Sequence, residues 1–303
     1  MKETTFKSFD GTTLACYVWD DCPTKKGIIQ LIHGMKEHAR RYGELAKFLN
    51  NYGFVVFADD HRAHGQTAKT PENLGKYNKK SNIYLDTVKD EIEISKMLKE
   101  KYKGLPLFIF GHSYGSLIAQ KYIQDYHGYT AAIICGSSYM NTLENNMAKI
   151  IAKLTVLFKG KNATAKMIEK LSFATYSKGI TEDEMWITHD KKVCRAYKED
   201  PYSNTPFSAK FYADLMSGTT PLYSKKKLAK IDKQKPLFLI AGAEDAFSKN
   251  AKLVKKLYKT YQKAGILNIK VKIYPSMRHE VHNELNNDEV LTDIKNFYIS
   301  SLK

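Results

Sequence analysis

The amino-acid sequence predicts an α/β fold with a mostly parallel central sheet and helices on both faces. Short β-rich runs, such as GIIQLIHG at 27–34 and PLFIFGHS at 106–113, alternate with longer stretches that have helical spacing. This repeated alternation of buried strands with helices is typical of a parallel sheet covered on both sides. A third observation, the loss of the alternation between about 140 and 227, predicts an insertion in that fold.

The chain opens with a predicted β-hairpin, because Asp10-Gly11 is a turn dipeptide between two strand-like arms. Strands and helices then alternate in the order strand 27–34, helix 40–52, strand 53–60, helix 81–102, strand 106–113, helix 114–127 and strand 131–138. The pattern returns after the insertion as strand 235–245, helix 249–265, strand 268–275 and closing helix 288–302.

The segment from about Met140 to Lys227 is helical in spacing and rich in lysine, methionine and aromatic residues. We therefore expect an α/β core formed by residues 1–139 and 228–303, interrupted by a helical insertion at 140–227.

One predicted helix of the insertion, MAKIIAKLTVLFKG, is strongly amphipathic, with Lys149 and Lys153 opposite a broad apolar face. That face consists of Met147, Ile150, Ile151, Leu154, Leu157 and Phe158. Two interpretations are open. The helix either packs on its own domain, or it dips its apolar face into lipid while the lysines meet anionic headgroups.

The formal charge of +16 on 303 residues does not by itself indicate a nucleic-acid partner. The basic residues are 43 lysines and five arginines, and lysine lacks the planar fork that reads guanine or clamps phosphate. Without zinc-finger spacing or an RNA-binding motif, we expect no nucleic acid to bind. A solvated lysine-coated surface is favoured, and attraction to an anionic membrane is the alternative.

The four cysteines, Cys16, Cys22, Cys135 and Cys194, lack C-x-x-C spacing, so we expect reduced thiols. No run of about 18 uncharged apolar residues is present, and the N-terminus MKETTFKSFDGTT lacks the apolar core of a signal peptide. These features predict a cytoplasmic protein.

Ser113 lies between two glycines in GHSYG, where a predicted strand meets a predicted helix. In open parallel sheets, ligands bind at the carboxyl ends of the strands. Gly111 and Gly115 carry no Cβ that would obstruct a sharp turn there, so the Ser113 hydroxyl should project above the sheet. The five-residue pattern is common, and its position at a strand end is what favours a nucleophile.

A serine nucleophile needs a base, and the base needs a third group that fixes its tautomer. Asp245 follows one predicted strand and His279 lies in the loop after the last one. The chain order Ser113, Asp245, His279 is the order of α/β-hydrolases. At this point Glu244 and His282 remain local rivals of Asp245 and His279.

Acyl transfer also creates an oxyanion, which two preorganised N–H donors can stabilise. Tyr114, directly after the serine, offers one donor at a helix N-terminus. The segment HGMKEH should supply the other, because Gly34 allows close approach and Met35 offers its N–H.

Five segments carry a family resemblance: LIHGMKEHARRYGELAKFL, FADDHRAHGQT, FGHSYGSLIAQKYI, IAGAEDAFS and YPSMRHEVHNEL. Together they resemble the monoacylglycerol lipase and lysophospholipase branch of the α/β-hydrolase superfamily, of the serine aminopeptidase S33 or hydrolase-4 type. The resemblance implies an α/β-hydrolase fold, Ser113, Asp245 and His279 as the triad, and Met35 and Tyr114 as oxyanion donors. It also implies that the insertion is a lid that sets specificity.

The same resemblance implies that Glu37, Arg41 and His112 lie near the polar, alcohol-bearing end of the substrate. The sequence departs from the family after the nucleophile, where Tyr114 and Ser116 replace methionine and glycine. We expect these replacements to make the floor of the pocket more polar or narrower.

No metal or cofactor is expected. His33, His61, His64 and the run HEVH lack the helical His-Glu-x-x-His spacing of zinc peptidases, and histidines in such loops more often tie backbones together. No phosphate-binding glycine-rich fingerprint appears in the sequence.

The expected function is a serine esterase acting on monoacylglycerol or a similar single-chain lipid ester such as a lysophospholipid. The alternatives are a short-chain or cinnamoyl/feruloyl-type carboxylesterase, a thioesterase, an acyltransferase and a proline-iminopeptidase-like peptidase. A non-catalytic binding protein on a hydrolase fold is a further alternative from a different class.

Overall fold

Eight strands form one sheet, which contains both the predicted hairpin and the predicted parallel strands. The strands are β1 (Lys2–Lys7), β2 (Thr13–Trp19), β3 (Gly27–Ile32), β4 (Phe54–Asp59), β5 (Leu107–His112), β6 (Ala131–Cys135), β7 (Leu237–Gly242) and β8 (Ile269–Tyr274). The computed structural model describes residues 1–177, 180 and 184–302, with the backbone alone for 171–175.

The strand order in the sheet is β1-β2-β4-β3-β5-β6-β7-β8. β1 pairs antiparallel with β2, and β2 pairs antiparallel with β4. All remaining neighbours, from β4 across to β8, are parallel. The mostly parallel α/β sheet that the sequence predicts is therefore confirmed.

The helices lie between these strands in chain order. They are α1 (Gly43–Asn50), α2 (Ile83–Lys101), α3 (Tyr114–Asp125), α4 (Leu143–Lys159), α5 (Lys166–Tyr176), α6 (Lys191–Glu199), α7 (Ala209–Thr219), α8 (Lys225–Leu228), α9 (Lys252–Lys263) and α10 (Asp288–Ser300). Side chains alternate across the sheet, so Ile109 of β5 packs on the face that α2 and α3 cover, and Phe108 and Phe110 pack toward α1 and α10. Helices therefore cover both faces, as predicted.

Helices α4 to α8 lie between β6 and β7, in the segment where the sequence predicts an insertion. Residues 178–179 and 181–183 of that segment are outside the described part of the chain. The division into a core and a lid stays a prediction.

Helix α4 packs mainly against α7. Ala152 is its buried residue, and Ile151 and Val156 pack partly into the core. The exposed apolar side chains of α4 are Leu143, Met147, Ile150, Leu154, Leu157 and Phe158. The packing on its own domain thus uses one narrow side of the helix and leaves most of the predicted apolar face in solvent.

Among the described residues, no helix combines the length and the apolar character needed to span a bilayer.

Candidate active site

The sheet order places two functional loops side by side. β3 lies between β4 and β5 in the sheet. The chain leaves β3 toward β4 and leaves β5 in the opposite direction, toward β6, so the loops that follow β3 and β5 diverge at a switch point. Such points form crevices at the carboxyl end of an α/β sheet. The loop after β3 contains Met35, and the loop after β5 contains Ser113.

Ser113 is the single residue between β5 and α3. Its backbone has φ 54° and ψ −118°, a strained conformation for a residue other than glycine. Its N–H donates to the Cys135 carbonyl at the end of β6 (3.0 Å), and its carbonyl accepts the N–H groups of Ser116 (2.9 Å) and Leu117 (3.2 Å). Strand and helix therefore hold the turn from both sides.

The flanking glycines allow close packing around this turn. A Cβ on Gly115 would collide with the Ile32 carbonyl oxygen at the end of β3, and one on Gly111 would lie 2.6 Å from the Gly115 carbonyl oxygen. Neither glycine has a positive φ, so their role is to remove side-chain atoms, and the strained dihedral belongs to Ser113 itself.

Asp245 and His279 are in direct contact. Asp245 follows β7, His279 follows β8, and the His279 Nδ1–H donates to Asp245 Oδ1 over 2.9 Å. Asp245 Oδ1 also accepts the Phe247 N–H (3.0 Å). Because Nδ1 carries the proton, His279 Nε2 presents a lone pair, and this buried atom has no hydrogen-bond partner within the described residues.

The two rivals left open by the sequence lie elsewhere. The Glu244 side chain is exposed and faces His189 Nε2 at 3.2 Å. His282 stacks on Tyr42 with ring centroids 5.0 Å apart. The residues in contact with each other are thus Asp245 and His279.

The surroundings of His279 favour a proton acceptor that can hold positive charge. Burial lowers the pKa of His279, but the charge of Asp245 and the hydrogen bond to it outweigh burial, so the pKa lies above its ordinary value. The rings of Trp186 and Phe247 lie 4.6 Å and 5.6 Å from the His279 ring.

Both predicted oxyanion donors, Met35 and Tyr114, belong to segments that adjoin Ser113. Tyr114 is the first residue of α3, so its N–H has no acceptor within the helix. A Cβ built on Gly34 would come within 3.2 Å of the Ser113 Cβ, which places the Gly34-Met35 loop directly beside the serine. In the described part of the chain, no acceptor is found for the Met35 N–H.

A cavity of about 400 Å³ opens beside Ser113. Its walls from the core include Met35, Lys36, Tyr114, Leu117, Ala246, Phe247 and Leu253. Its walls from the segment between β6 and β7 include Met140, Met147, Ile151, Ile168, Trp186, Tyr197, Leu215 and Met216. Most of these side chains are apolar, and the size falls in the range of small-molecule sites, about 300–1,000 Å³.

The two departures from the family pattern have different positions. Tyr114 borders the cavity, but its ring packs against His64 and Phe211, with centroids 5.7 Å and 5.4 Å away, so a change in the width of the pocket stays a prediction. Ser116 is buried, and its hydroxyl bonds to the Ser113 carbonyl (2.5 Å) and to Ser137 Oγ (2.7 Å). Ser116 therefore supports the turn, and it is not among the cavity-lining side chains of the described residues.

Glu37, Arg41 and His112 form a buried network next to the site. Glu37 Oε1 accepts the Gly34 N–H (2.6 Å) and the Tyr42 hydroxyl (2.7 Å), and its other oxygen pairs with Arg41. Burial raises the pKa of Glu37, but Arg41 and His112 lower it by more, so the carboxylate is ionised. Among the described residues, none of the three lines the cavity, so their predicted contact with the substrate finds no support in these contacts.

Glu280 is a member of this network to which sequence analysis assigned no role. Both guanidinium Nη atoms of Arg41 lie 2.8 Å from the two carboxylate oxygens of Glu280, in a bidentate pair. Because Glu37 holds the Gly34 N–H and Glu280 follows His279, Arg41 connects the Gly34-Met35 loop to the loop that carries His279. The signal in the sequence that could have identified Glu280 is its position as an acidic residue directly after His279 in RHEVH.

His33 and His61 tie backbones together, as the sequence predicts. The His61 N–H donates to His33 Nε2 (3.0 Å), His61 Nε2–H donates to the His33 carbonyl (3.2 Å), and the two rings stack at 3.8 Å. His61 Nδ1 lies 3.2 Å from both Asp59 and Glu91. Burial opposes a charge on His61, but Asp59 and Glu91 outweigh it and raise its pKa to about 10, so His61 is an imidazolium.

The chain matches known proteins along nearly its whole length. The family model for Hydrolase_4, described as serine aminopeptidase S33, matches residues 23–286. The monoacylglycerol lipase of Mycolicibacterium smegmatis is 25% identical over 302 residues, which cover 99% of this chain and 98% of the lipase. The human monoglyceride lipase is 28% identical over 280 residues, which cover 91% of this chain and 82% of that protein.

A solved structure shows the same fold. A highly thermostable carboxyl esterase from Bacillus coagulans, in complex with glycerol, superimposes with a TM-score of 0.89 at 29% identity. The superposition covers 100% of this chain and 99% of the esterase.

Proposed function

This chain belongs to the Hydrolase_4 family, serine aminopeptidase S33, and we propose that it is a serine esterase for single-chain lipid esters, with monoacylglycerols as the preferred class. The enzyme class is carboxylic-ester hydrolase, in line with the lipases and the esterase that the chain resembles. The acyl-enzyme mechanism, the roles of the site residues and the lipid preference are the proposal.

The observation that carries the proposal is an apolar cavity with a strained serine in its wall. Ser113 lines the cavity of about 400 Å³ together with Met147, Ile151 and Leu215, which offer an apolar surface to an acyl chain. Trp186 and Phe247 line the same cavity and contact the His279 ring, so the serine and the histidine approach it together.

In the proposed reaction, Ser113 Oγ attacks the acyl carbonyl carbon while His279 Nε2 accepts the hydroxyl proton. Asp245 holds the Nδ1–H tautomer and stabilises the imidazolium that forms. The N–H groups of Met35 and Tyr114 bind the oxyanion, and one such donor is worth roughly 3–4 kcal/mol in the transition state. The unpartnered His279 Nε2 is suited to the first step, and hydrogen bonds of this kind often tighten only once substrate binds.

Collapse of the tetrahedral intermediate breaks the ester C–O bond. His279 gives its proton to the departing alcohol, and Ser113 keeps the acyl group. Water then enters, His279 accepts one of its protons, and a second tetrahedral intermediate collapses to release the fatty acid and restore the serine.

The test of the nucleophile is labelling with a fluorophosphonate probe together with release of fatty acid from a long-chain monoacylglycerol. We expect the intact protein to label and to cleave the lipid, and Ser113→Ala to do neither. Ser300→Ala, at the end of α10, is the matched control and should behave like the intact protein. A folded intact protein that does not label would favour the non-catalytic binding protein.

Profiling against acyl chains of different length tests the substrate class. Because the cavity is apolar, turnover should peak with long-chain monoacyl esters. A peak at short-chain or cinnamoyl esters would contradict the lipid preference and leave the serine chemistry intact. Thioesters, alcohol acceptors and prolyl peptides in the same panel separate the thioesterase, acyltransferase and peptidase alternatives.

A further inference from the structure

A cluster of metal-ligating side chains lies next to the proposed catalytic histidine. His112 ends β5, Cys135 ends β6, and His282 lies in the loop after β8. The parallel register of β5 and β6 places His112 and Cys135 side by side. One donor atom from each of the three residues lies within 4.8 Å of the other two, and all three side chains are buried.

The hydrogen bonds of His112 leave one of its nitrogens available as a ligand. Glu37 is an ionised carboxylate and accepts the Tyr42 hydroxyl proton at 2.7 Å. Tyr42 therefore has only its oxygen lone pairs to offer His112 Nδ1, also at 2.7 Å, so Nδ1 carries a proton. His112 Nε2 makes only a long hydrogen bond, 3.4 Å, to the His279 carbonyl, and a metal ion at this nitrogen would replace it.

His282 and Cys135 also offer atoms that could ligate a metal. Within the described residues, the buried His282 Nδ1 has no hydrogen-bond partner. An imidazole nitrogen without a partner is a ligand that zinc takes in proteins. The Cys135 thiol is free of any disulfide.

We propose that His112, Cys135 and His282 form a binding site for zinc, or for a cation of similar preference for sulfur and nitrogen ligands. Two imidazoles and a thiol match the ligands that zinc takes in proteins, and three protein ligands leave a fourth position for water. Binding forms a Zn–S bond and releases the thiol proton to solvent, so affinity should rise with pH.

The second buried cluster, Asp59, His61 and Glu91, is a poorer candidate. Both nitrogens of His61 face acceptors and carry protons, so His61 is a cation with no free lone pair. This cluster therefore offers a metal ion no free nitrogen ligand.

Zinc at this site should inhibit the esterase. Zinc–ligand bonds are about 2.0–2.3 Å long, so a bound ion would hold the three donor atoms, which lie within 4.8 Å of one another, at fixed separations. His112 precedes Ser113, and its ring centroid lies 4.8 Å from that of His279. Fixing His112 and His282 on one ion therefore constrains the loop that carries His279, the proposed base. Because the site is buried, binding requires local opening, and inhibition should develop slowly.

The test begins with the metal-free full-length protein, equilibrated with Zn²⁺ and, separately, with Co²⁺. We expect saturable binding at a single site by equilibrium dialysis and a thiolate-to-cobalt charge-transfer band in the absorption spectrum. Cys135→Ser should abolish the band. Cys194→Ser, which removes another buried free thiol, is the matched control and should keep it. His282→Gln should weaken binding and serves as the second variant if Cys135→Ser does not fold.

In the activity measurement, the rate of ester hydrolysis after preincubation with Zn²⁺ is compared with the metal-free rate of the same variant. Slow inhibition of the intact protein and of Cys194→Ser, with resistance in His282→Gln, is the expected result. A protein that binds no zinc, or one whose cobalt band survives Cys135→Ser, overturns the proposal. The binding arm needs no catalysis, so its failure is distinct from failure of the proposed esterase activity.

Discussion

At the scale of single residues, the proposed chemistry depends on the tautomer of His279. Asp245 accepts the Nδ1 proton, and this leaves the Nε2 lone pair as the base. The same carboxylate raises the pKa of the ring above its ordinary value of about 6.5. One contact therefore determines both where the proton sits and at which pH the base becomes available.

Replacing Asp245 tests both consequences. Asp245→Asn should lower kcat/KM by about 10⁴-fold, because an amide can hold the imidazole in the wrong tautomer. The wild-type acid limb of the pH profile should lie above about pH 6.5, and it should move to lower pH in the variant because the charge that raises the pKa is lost. Glu244→Gln, at the exposed neighbouring residue, is the control and should change neither quantity. An acid limb that does not move in Asp245→Asn would contradict the assignment.

At the scale of elements, the position of Ser113, the proposed nucleophile, depends on how closely α3 approaches β3. Gly115, in the first turn of α3, lies so near the Ile32 carbonyl that a Cβ would overlap it. Gly115→Ala should therefore push the helix N-terminus, with Ser113 and Tyr114, away from the Gly34-Met35 loop.

We expect Gly115→Ala to reduce kcat/KM and to lower the free energy of unfolding by about 1–3 kcal/mol, the usual cost of overpacking. Gly43→Ala in α1 is the control, because a Cβ there meets nothing within 4 Å and its φ is helical at −56°. That change should be neutral or stabilise by up to about 1 kcal/mol. Urea unfolding and ester hydrolysis measure the two effects, and equal behaviour of the variants would contradict this view of the turn.

Helix α4 has an exposed apolar face that suits an interfacial helix in the proposed lid. Leu157 and Phe158 are 73% and 78% exposed, and lysines flank the face. The double variant Leu157→Ser/Phe158→Ser should bind anionic vesicles less than the intact protein in a flotation assay. Leu267→Ser, 73% exposed outside the predicted lid, is the control. Equal absence of intact-protein binding to neutral and anionic vesicles would contradict membrane contact.

At the scale of the whole molecule, a buried carboxyl makes stability depend on pH. Burial, with a further contribution from Asp59, raises the pKa of Glu91 in α2 from about 4.5 to about 8. Between these values the folded protein holds a proton that the unfolded chain releases, so the free energy of unfolding should fall as pH rises from about 4.5 to 8.

Glu91→Gln removes this titration and should flatten the fall in the free energy of unfolding, measured by urea titration at several pH values in that window. Glu93→Gln, on a more exposed side of the same helix, should keep the slope of the intact protein. Identical slopes in both variants would place the pH dependence elsewhere in the molecule.

Much of the fold was predictable because its signals are local. Runs such as GIIQLIHG and PLFIFGHS are apolar enough to form buried strands, and the helices between them require crossovers that make the sheet parallel. Strand ends also carry the residues of the candidate site, so Ser113 could be predicted from its position, whereas the choice of Asp245 over Glu244 and of His279 over His282 needed the family resemblance. The amphipathic pattern of α4 was equally visible, although the pattern alone did not show which part would be buried.

The sequence by itself determined the order of strands and helices, the sharp turn at Ser113 and the strand ends that carry Asp245 and His279. These depend on residue periodicity and turn chemistry over a few neighbouring positions. Only the tertiary structure decided that Arg41 bridges Glu37 and Glu280, and that His112, Cys135 and His282 meet. Those groupings depend on the strand order β4-β3-β5-β6-β7-β8, which determines which loops become neighbours, and no local pattern in the chain contains that order.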